Sequence, residues 1–322
     1  MAPATSDPGP TAGDASRSSS SAGPTPHYAP WDIVLLGIVG GAWGVAYIFI
    51  REGIVLGASP LLFAAARYAL SAAAFGAIAL ARREPTPNGR DLLVSAVAGG
   101  ILGIGLYGGL LYWGEQYTAG GYAAVLSTTA PILTVVTAFA LLPNERLGRM
   151  ALLGIAVGFG GVVLLVAPTL FGTPVGSWRG PPFIVAAFVS WVVGTVLLRR
   201  FGHGRQNLWQ IGSQFAVAGL LLGAACAVLP FPESLPLRPA VWTALAGLVL
   251  LSSLVGYFAY YALHHRVGPV RSNAVAYLVP LVGVGVGSGL YGEPITVWEV
   301  VGCLVVLSGM TLIVRESLRP GR

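Results

Sequence analysis

One hydrophobic pattern occurs twice along this chain, and that constrains the fold more than any other feature. Trp43 precedes Arg51 by eight residues, as Trp191 precedes Arg199. Pro131, Glu145, Gly154 and Gly161 are echoed by Pro280, Glu293, Gly302 and Gly309. The spacing from the glutamate through both glycines is identical in the two copies, and the proline-to-glutamate interval differs by one residue. A repeat of about 148 residues predicts two structurally equivalent halves.

Composition says what those halves are made of. Hydrophobic residues are 55% of the chain, charged residues 9%, and the mean hydropathy is +0.76. That balance excludes a water-soluble domain with a charged surface and predicts an all-α integral membrane protein. Apolar runs long enough to span ~30 Å of hydrocarbon as helices fall at 31–50, 60–81, 91–113, 120–142, 148–167, 180–199, 207–229, 240–263, 270–291 and 296–314. The predicted organisation is a disordered tail over 1–28, a first five-span repeat over 29–170, a Gly- and Pro-rich linker over 171–179, a second repeat over 180–316 and a short tail over 317–322. The tail has no apolar core that would make it a signal peptide.

Charge orients the spans. With the N-terminus inside, the inner side carries Arg17, Arg82, Arg83, Arg90, Arg146, Arg149, Arg199, Arg200, Arg205, Arg266, Arg271, Arg315, Arg319 and Arg322, against Arg51, Arg179 and Arg238 outside. This positive-inside bias predicts a cell-membrane protein with both termini cytoplasmic. The sequence pI near 9.6 then reflects topology and contact with the lipid bilayer, not nucleic-acid binding. Five spans per half place the halves in opposite orientations, the inverted-repeat layout that supports alternating access.

Several motifs recur within the spans. Small residues four apart, such as Gly37 with Gly41, Gly40 with Gly44, Gly154 with Gly158 and Gly283 with Gly287, allow close helix approach. Pro131 and Pro280 sit at matching places in spans four and nine, where a kink suits gating. The Trp43 segment, Arg67-Tyr68, the run from Tyr117 through Leu126 to Pro131, Glu145, Gly154 and Gly161 resemble one EamA domain of the drug/metabolite transporter superfamily. The second copy runs from Trp191 through Gly268-Pro269, Pro280, Gly292-Glu293-Pro294, Gly302 and Gly309. The resemblance implies ten helices in two inverted five-helix repeats and movement of a small organic solute, usually outward. In the second copy Arg67-Tyr68 is answered by Gln214-Phe215, so the halves are not chemically equivalent.

Arg67 is the clearest site candidate. It lies roughly 10 Å below the outer end of its span, where a charge facing lipid is costly. It can attract a carboxylate on the solute, or it can tie helix ends through backbone carbonyls. Trp43, Tyr47, Tyr112, Trp191, Gln214, Tyr257, Asn273 and Tyr277 are candidates to line the solute cavity, as stacking surfaces and hydrogen-bonding groups. Carboxylates are expected only in loops and near span ends, with Glu115 a solvated interface residue or, alternatively, a group that binds a proton or a cationic solute, and Glu145 and Glu293 capping the helices that follow them. No cofactor or metal is expected, since Cys226 and Cys303 stand apart and adjacent His264 and His265 point apart. A membrane-embedded enzyme is disfavoured because no GxSxG or HExxH pattern occurs. A carrier of a lipid or lipid-linked solute is the alternative to a carrier of small metabolites.

Overall fold

The computed structural model describes residues 29–141, 149–166, 176–202, 206–229, 234–272 and 275–317. The described residues are helical, with one isolated bridge between Thr118 and Gly176. In chain order the helices are α1 (Pro30–Val55), α2 (Pro60–Ala81), α3 (Gly89–Glu115), α4 (Gly120–Leu141, interrupted at Ser127 and Thr128) and α5 (Arg149–Val166). The second half holds α6 (Gly180–Phe201), α7 (Leu208–Val228), α8 (239–272), α9 (Val275–Tyr291) and α10 (Val297–Ser317). Among the described residues seven helices are long and apolar enough to cross a membrane: α1, α2, α3, α4, α6, α7 and the Pro239–Leu263 part of α8. Shorter apolar stretches run over Leu152–Leu165, Leu278–Tyr291 and Val297–Gly309.

Local chemistry sets the helix ends. Pro30, Pro60 and Pro239 open their helices, where a missing amide donor is harmless. Asn88 caps α3 by accepting from the Asp91 amide at 2.8 Å, and Asn207 with Gln210 forms a reciprocal capping box on α7. At the end of α9 Gly292 adopts φ +65°, and the Glu293 amide turns back onto the Gly287 carbonyl at 3.1 Å.

Pairing between helices follows the repeat. α1 packs on α8 and α9, and α6 packs on the equivalent α3 and α4. α2 pairs with α7, and α5 with α10. The repeated glycines sit at this last contact. A methyl group on Gly309 would lie 2.5 Å from the Gly154 carbonyl oxygen, and one on Gly161 would lie 2.9 Å from that of Gly302. Exchanging the halves turns one of these pairs into the other. Gly40 and Gly44 likewise admit Leu278 and Val282 of α9, whereas Gly37 and Gly41 face open space and mark no helix contact. α1 is apolar all round, so its sequence did not distinguish the two glycine faces.

Three features depart from the sequence expectations. α3 and α8 each contain a π-helical stretch, Ser95–Leu106 and Leu248–Val255, and each stretch ends 25 residues before the matched proline of its half. Pro131 lies in the first turn of the Thr129–Leu141 segment, not in mid-helix. Its ring is incompatible with a bond to Ser127, and α4 breaks there, while Pro280 stays inside α9. α8 also continues past residue 263 to Ser272, and Arg266 on this extension pairs with Asp32 of α1 at 2.5 Å.

Replacing Gly309 with valine is expected to lower stability by about 1–3 kcal/mol through overpacking against α5. The same change at open Gly37 should stay within about 0.5 kcal/mol. Thermal unfolding of the detergent-solubilised protein measures both, and equal effects would contradict the described α5–α10 contact.

Candidate functional site

Arg67 is the centre of the buried polar region. It sits two turns beyond the start of α2, 8% exposed, between the π stretch of α8 and the end of α3. Its Nε donates to Ser253 Oγ at 3.3 Å, Nη2 to Ser252 Oγ at 2.7 Å and Nη1 to Tyr112 Oη at 3.1 Å. The guanidinium also lies 5.4 Å from the Tyr68 ring centre. These partners are neutral hydroxyls and an aromatic face, not the backbone carbonyls of a helix-end tie. Among the described residues no carboxylate lies within ion-pair distance of Arg67. The cation is therefore hydrogen-bonded but carries uncompensated charge, an arrangement suited to an anionic group.

The π stretch of α8 carries two of these partners. Ser252 and Ser253 are adjacent within the Leu248–Val255 stretch, and both reach the same guanidinium, one on Nη2 and one on Nε. The second half repeats the logic with an amide. Gln214 of α7 donates from Nε2 to Ser95 Oγ at 2.8 Å and to Gln206 Oε1 at 3.1 Å, and Ser95 opens the π stretch of α3. Each α2-type helix thus inserts a long polar side chain into the π stretch of the opposite half.

Beside Arg67 lies an aromatic layer. Phe75 and Phe215 stack at 5.4 Å with planes 12° apart, and Tyr257 meets Phe215 at 5.2 Å. Tyr68 closes the layer against Phe215 at 5.8 Å and Tyr112 at 6.4 Å. Beyond it opens a cavity of about 270 Å³, lined by Phe75, Arg82, Glu84, Gln206, Tyr257 and Tyr261 among others. Tyr261 Oη donates to Gln206 Oε1 at 2.6 Å, and Glu84 Oε2 accepts from the Leu208 amide at 2.9 Å, holding the cavity rim to α7.

The sequence candidates divide accordingly. Arg67, Tyr112 and Tyr257 converge on the centre, whereas Gln214 bonds Ser95 and Gln206, the latter at the cavity. Tyr47 is buried, with Tyr107 and Ser127 among its polar neighbours. Trp43 packs on Tyr257 and Tyr260, and its counterpart Trp191 packs on Tyr107, so both are half-buried supports of the aromatic region. Asn273 and the side chain of Tyr277 lie outside the described residues, as does Glu145. Phe75 and Gln206 went unremarked in the sequence: a phenylalanine in an apolar span gives no signal, and Gln206 sits in a loop.

The carboxylates depart most from expectation. Glu115 is not solvated. It is 0% exposed, and neither oxygen finds a hydrogen-bond partner among the described residues. Glu293 caps a helix, but not the one that follows it. Its two oxygens accept from the Gly120 and Gly121 amides at 2.9 and 2.7 Å, at the start of α4 in the other half. The next helix, α10, is capped by Thr296 and Glu299 instead.

Two equivalent sets of apolar helices enclosing a polar centre define a membrane protein with two tandem repeats. The sequence pattern of the EamA-like transporter family matches residues 31–167 and 178–315, so the chain belongs to that family across two tandem copies. The chain is 28% identical over 279 residues to the uncharacterized inner membrane transporter YedA of Escherichia coli (strain K12), covering 84% of this chain and 86% of that protein. It is 26% identical to an uncharacterized transporter of Archaeoglobus fulgidus over 88% of this chain and 98% of the other, and 27% identical to protein PecM of Dickeya dadantii over 86% and 90%. A solved structure described only as "Crystal structure of protein" aligns with a TM-score of 0.60 at 21% identity, over 90% of this chain and 99% of that one, a likeness of fold.

Replacing Ser252 and Ser253 together with alanine removes two donors' partners from a buried cation. Stability is expected to fall by about 1–3 kcal/mol for each bond lost, read as a lower unfolding midpoint, and an unchanged midpoint would count against these bonds.

Proposed function

We propose that this chain is a carrier that moves a small organic solute, an amino acid, metabolite or drug-like compound, out of the cell by alternating access. The observation that carries the reading is Arg67: a buried cation with only hydroxyl partners, separated by an aromatic layer from a cavity of about 270 Å³. In this reading ten spans form two inverted five-helix halves, both termini are cytoplasmic, and the Arg82 and Glu84 rim faces the cytoplasm. A solute enters through that rim and stacks on Phe75 and Tyr257. Parting of the layer brings its electron-rich group to Arg67, with Tyr112 and Gln214 as further hydrogen-bonding groups. The break at Pro131 in α4 and the proline inside α9, Pro280, supply the bending points. The relatives' printed names, which call several of them transporters, support a carrier over an enzyme.

Reconstituted vesicles loaded with a pooled metabolite set test the reading. Wild type is expected to move a carboxylate-bearing member, and Arg67→Ala to weaken its binding by about tenfold or more, as loss of a charge-assisted pair implies. Equal transport by a folded variant would remove Arg67 from the site. Single cysteines in place of Tyr47 and Tyr257 should label differently from the two sides once that solute is added. Labelling indifferent to solute would overturn alternating access at these positions.

A further inference from the structure

Glu115 ends α3 wholly buried, with both carboxylate oxygens lacking hydrogen-bond partners among the described residues. An ionised carboxylate so placed loses its hydration and gains no hydrogen bond in return, and the attraction of Arg51 and Arg67 offsets only part of that loss. The charged and titratable groups around it come from each neighbouring element: Arg51 and Tyr47 of α1, Arg67 and Tyr68 of α2, Tyr112 of α3 and Glu293 after α9. Neither cation is directed at its oxygens. Arg51 Nη1 donates to the main-chain carbonyls of Glu115 and Gln116 at 2.9 and 3.1 Å, and Arg67 spends its donors on Ser252, Ser253 and Tyr112. Glu293 brings a like charge and is itself held by the Gly120 and Gly121 amides. The neutral acid is the form that these surroundings accommodate.

We propose that Glu115 is a proton-binding site that must be loaded before the outer end of the carrier closes. This rests on the carrier reading above for its direction. With the outer end open, the Glu115 carboxylate meets outer water and one O–H bond forms with a proton taken from it. Closure, with Arg51 locked on the α3 terminus, buries the neutral acid. When the layer of Phe75, Phe215 and Tyr257 parts toward the cytoplasm, the O–H bond breaks and the proton leaves to inner water. One proton thus enters for each solute released outside, and the pH gradient drives export.

Two measurements on the full chain test this. Infrared difference spectra of the protein in lipid nanodiscs at neutral pH are expected to contain the carbonyl band of a protonated carboxyl group, lost in Glu115→Gln. Vesicles holding the pooled metabolite set are expected to move a member uphill when a pH gradient is imposed. Glu115→Gln should retain only downhill movement. An unchanged carboxyl band in the variant, or gradient-driven transport equal to wild type, overturns the proposal. Should Glu115→Gln fail to fold, Glu115→Asp keeps the carboxyl group, and its band is expected to titrate at a shifted pH; an unshifted titration overturns the proposal equally. If wild type moves no member of the pool, the carrier reading fails, while the infrared band still decides whether Glu115 holds a proton.

Discussion

Close backbone contact between helices is the constraint on which this fold depends. Lipid tails are as apolar as leucine, so burying apolar side chains between helices supplies little drive within a membrane. Dispersion at short range has to replace it, and that requires main chains to approach. Gly161 against Gly302, Gly309 against Gly154, Gly44 against α9 and Gly194 against the Ala98 carbonyl provide the approach. Each is a position where even one methyl group meets backbone or a branched side chain. The contacts bring α5 to α10 and α1 to α9, and the remaining helices enclose what these pairs leave between them.

Within that frame a charge has to be kept away from lipid. Arg67 is tolerated because two serines from one widened turn and a tyrosine from α3 surround it with oxygen. A π stretch leaves some main-chain groups poorly bonded and is retained where it re-aims side chains. Its occurrence at matched places in α3 and α8, serving Gln214 in one half and Arg67 in the other, shows one device put to two chemical uses.

Much of this was legible in the sequence. Helix starts were marked by Pro60, Pro239, Asn88 and Asn207, and most span boundaries fell within a few residues because turn chemistry and apolar length agree, the end of α8 at Ser272 excepted. The repeated glycines and Arg67 stood out because each is unusual in its local setting. What was not legible depends on distance in space. Ser252 and Ser253 lie some 185 residues from Arg67, and nothing local marks them as its partners. Glu115 reads as an interface residue because it ends a span; its burial comes from helices distant in sequence, α1, α2 and α6, that pack around the end of α3. Gly37 and Gly40 look alike on a helix apolar all round, and only packing separates them. The π stretches leave no trace in periodicity, since the segments are nearly uniformly apolar.

The Glu293 cap separates the chain's covalent order from its mechanical order. A carboxylate that follows α9 completes the start of α4, and an arginine near the end of α8 neutralises an aspartate at the start of α1. α1 leans on α8 and α9, while α6 leans on α3 and α4. Any pair of rigid bodies cut from this molecule therefore draws helices from both repeats. The duplicated unit that is visible in the sequence is a unit of ancestry, and the unit of packing is a different one, assembled across the duplication.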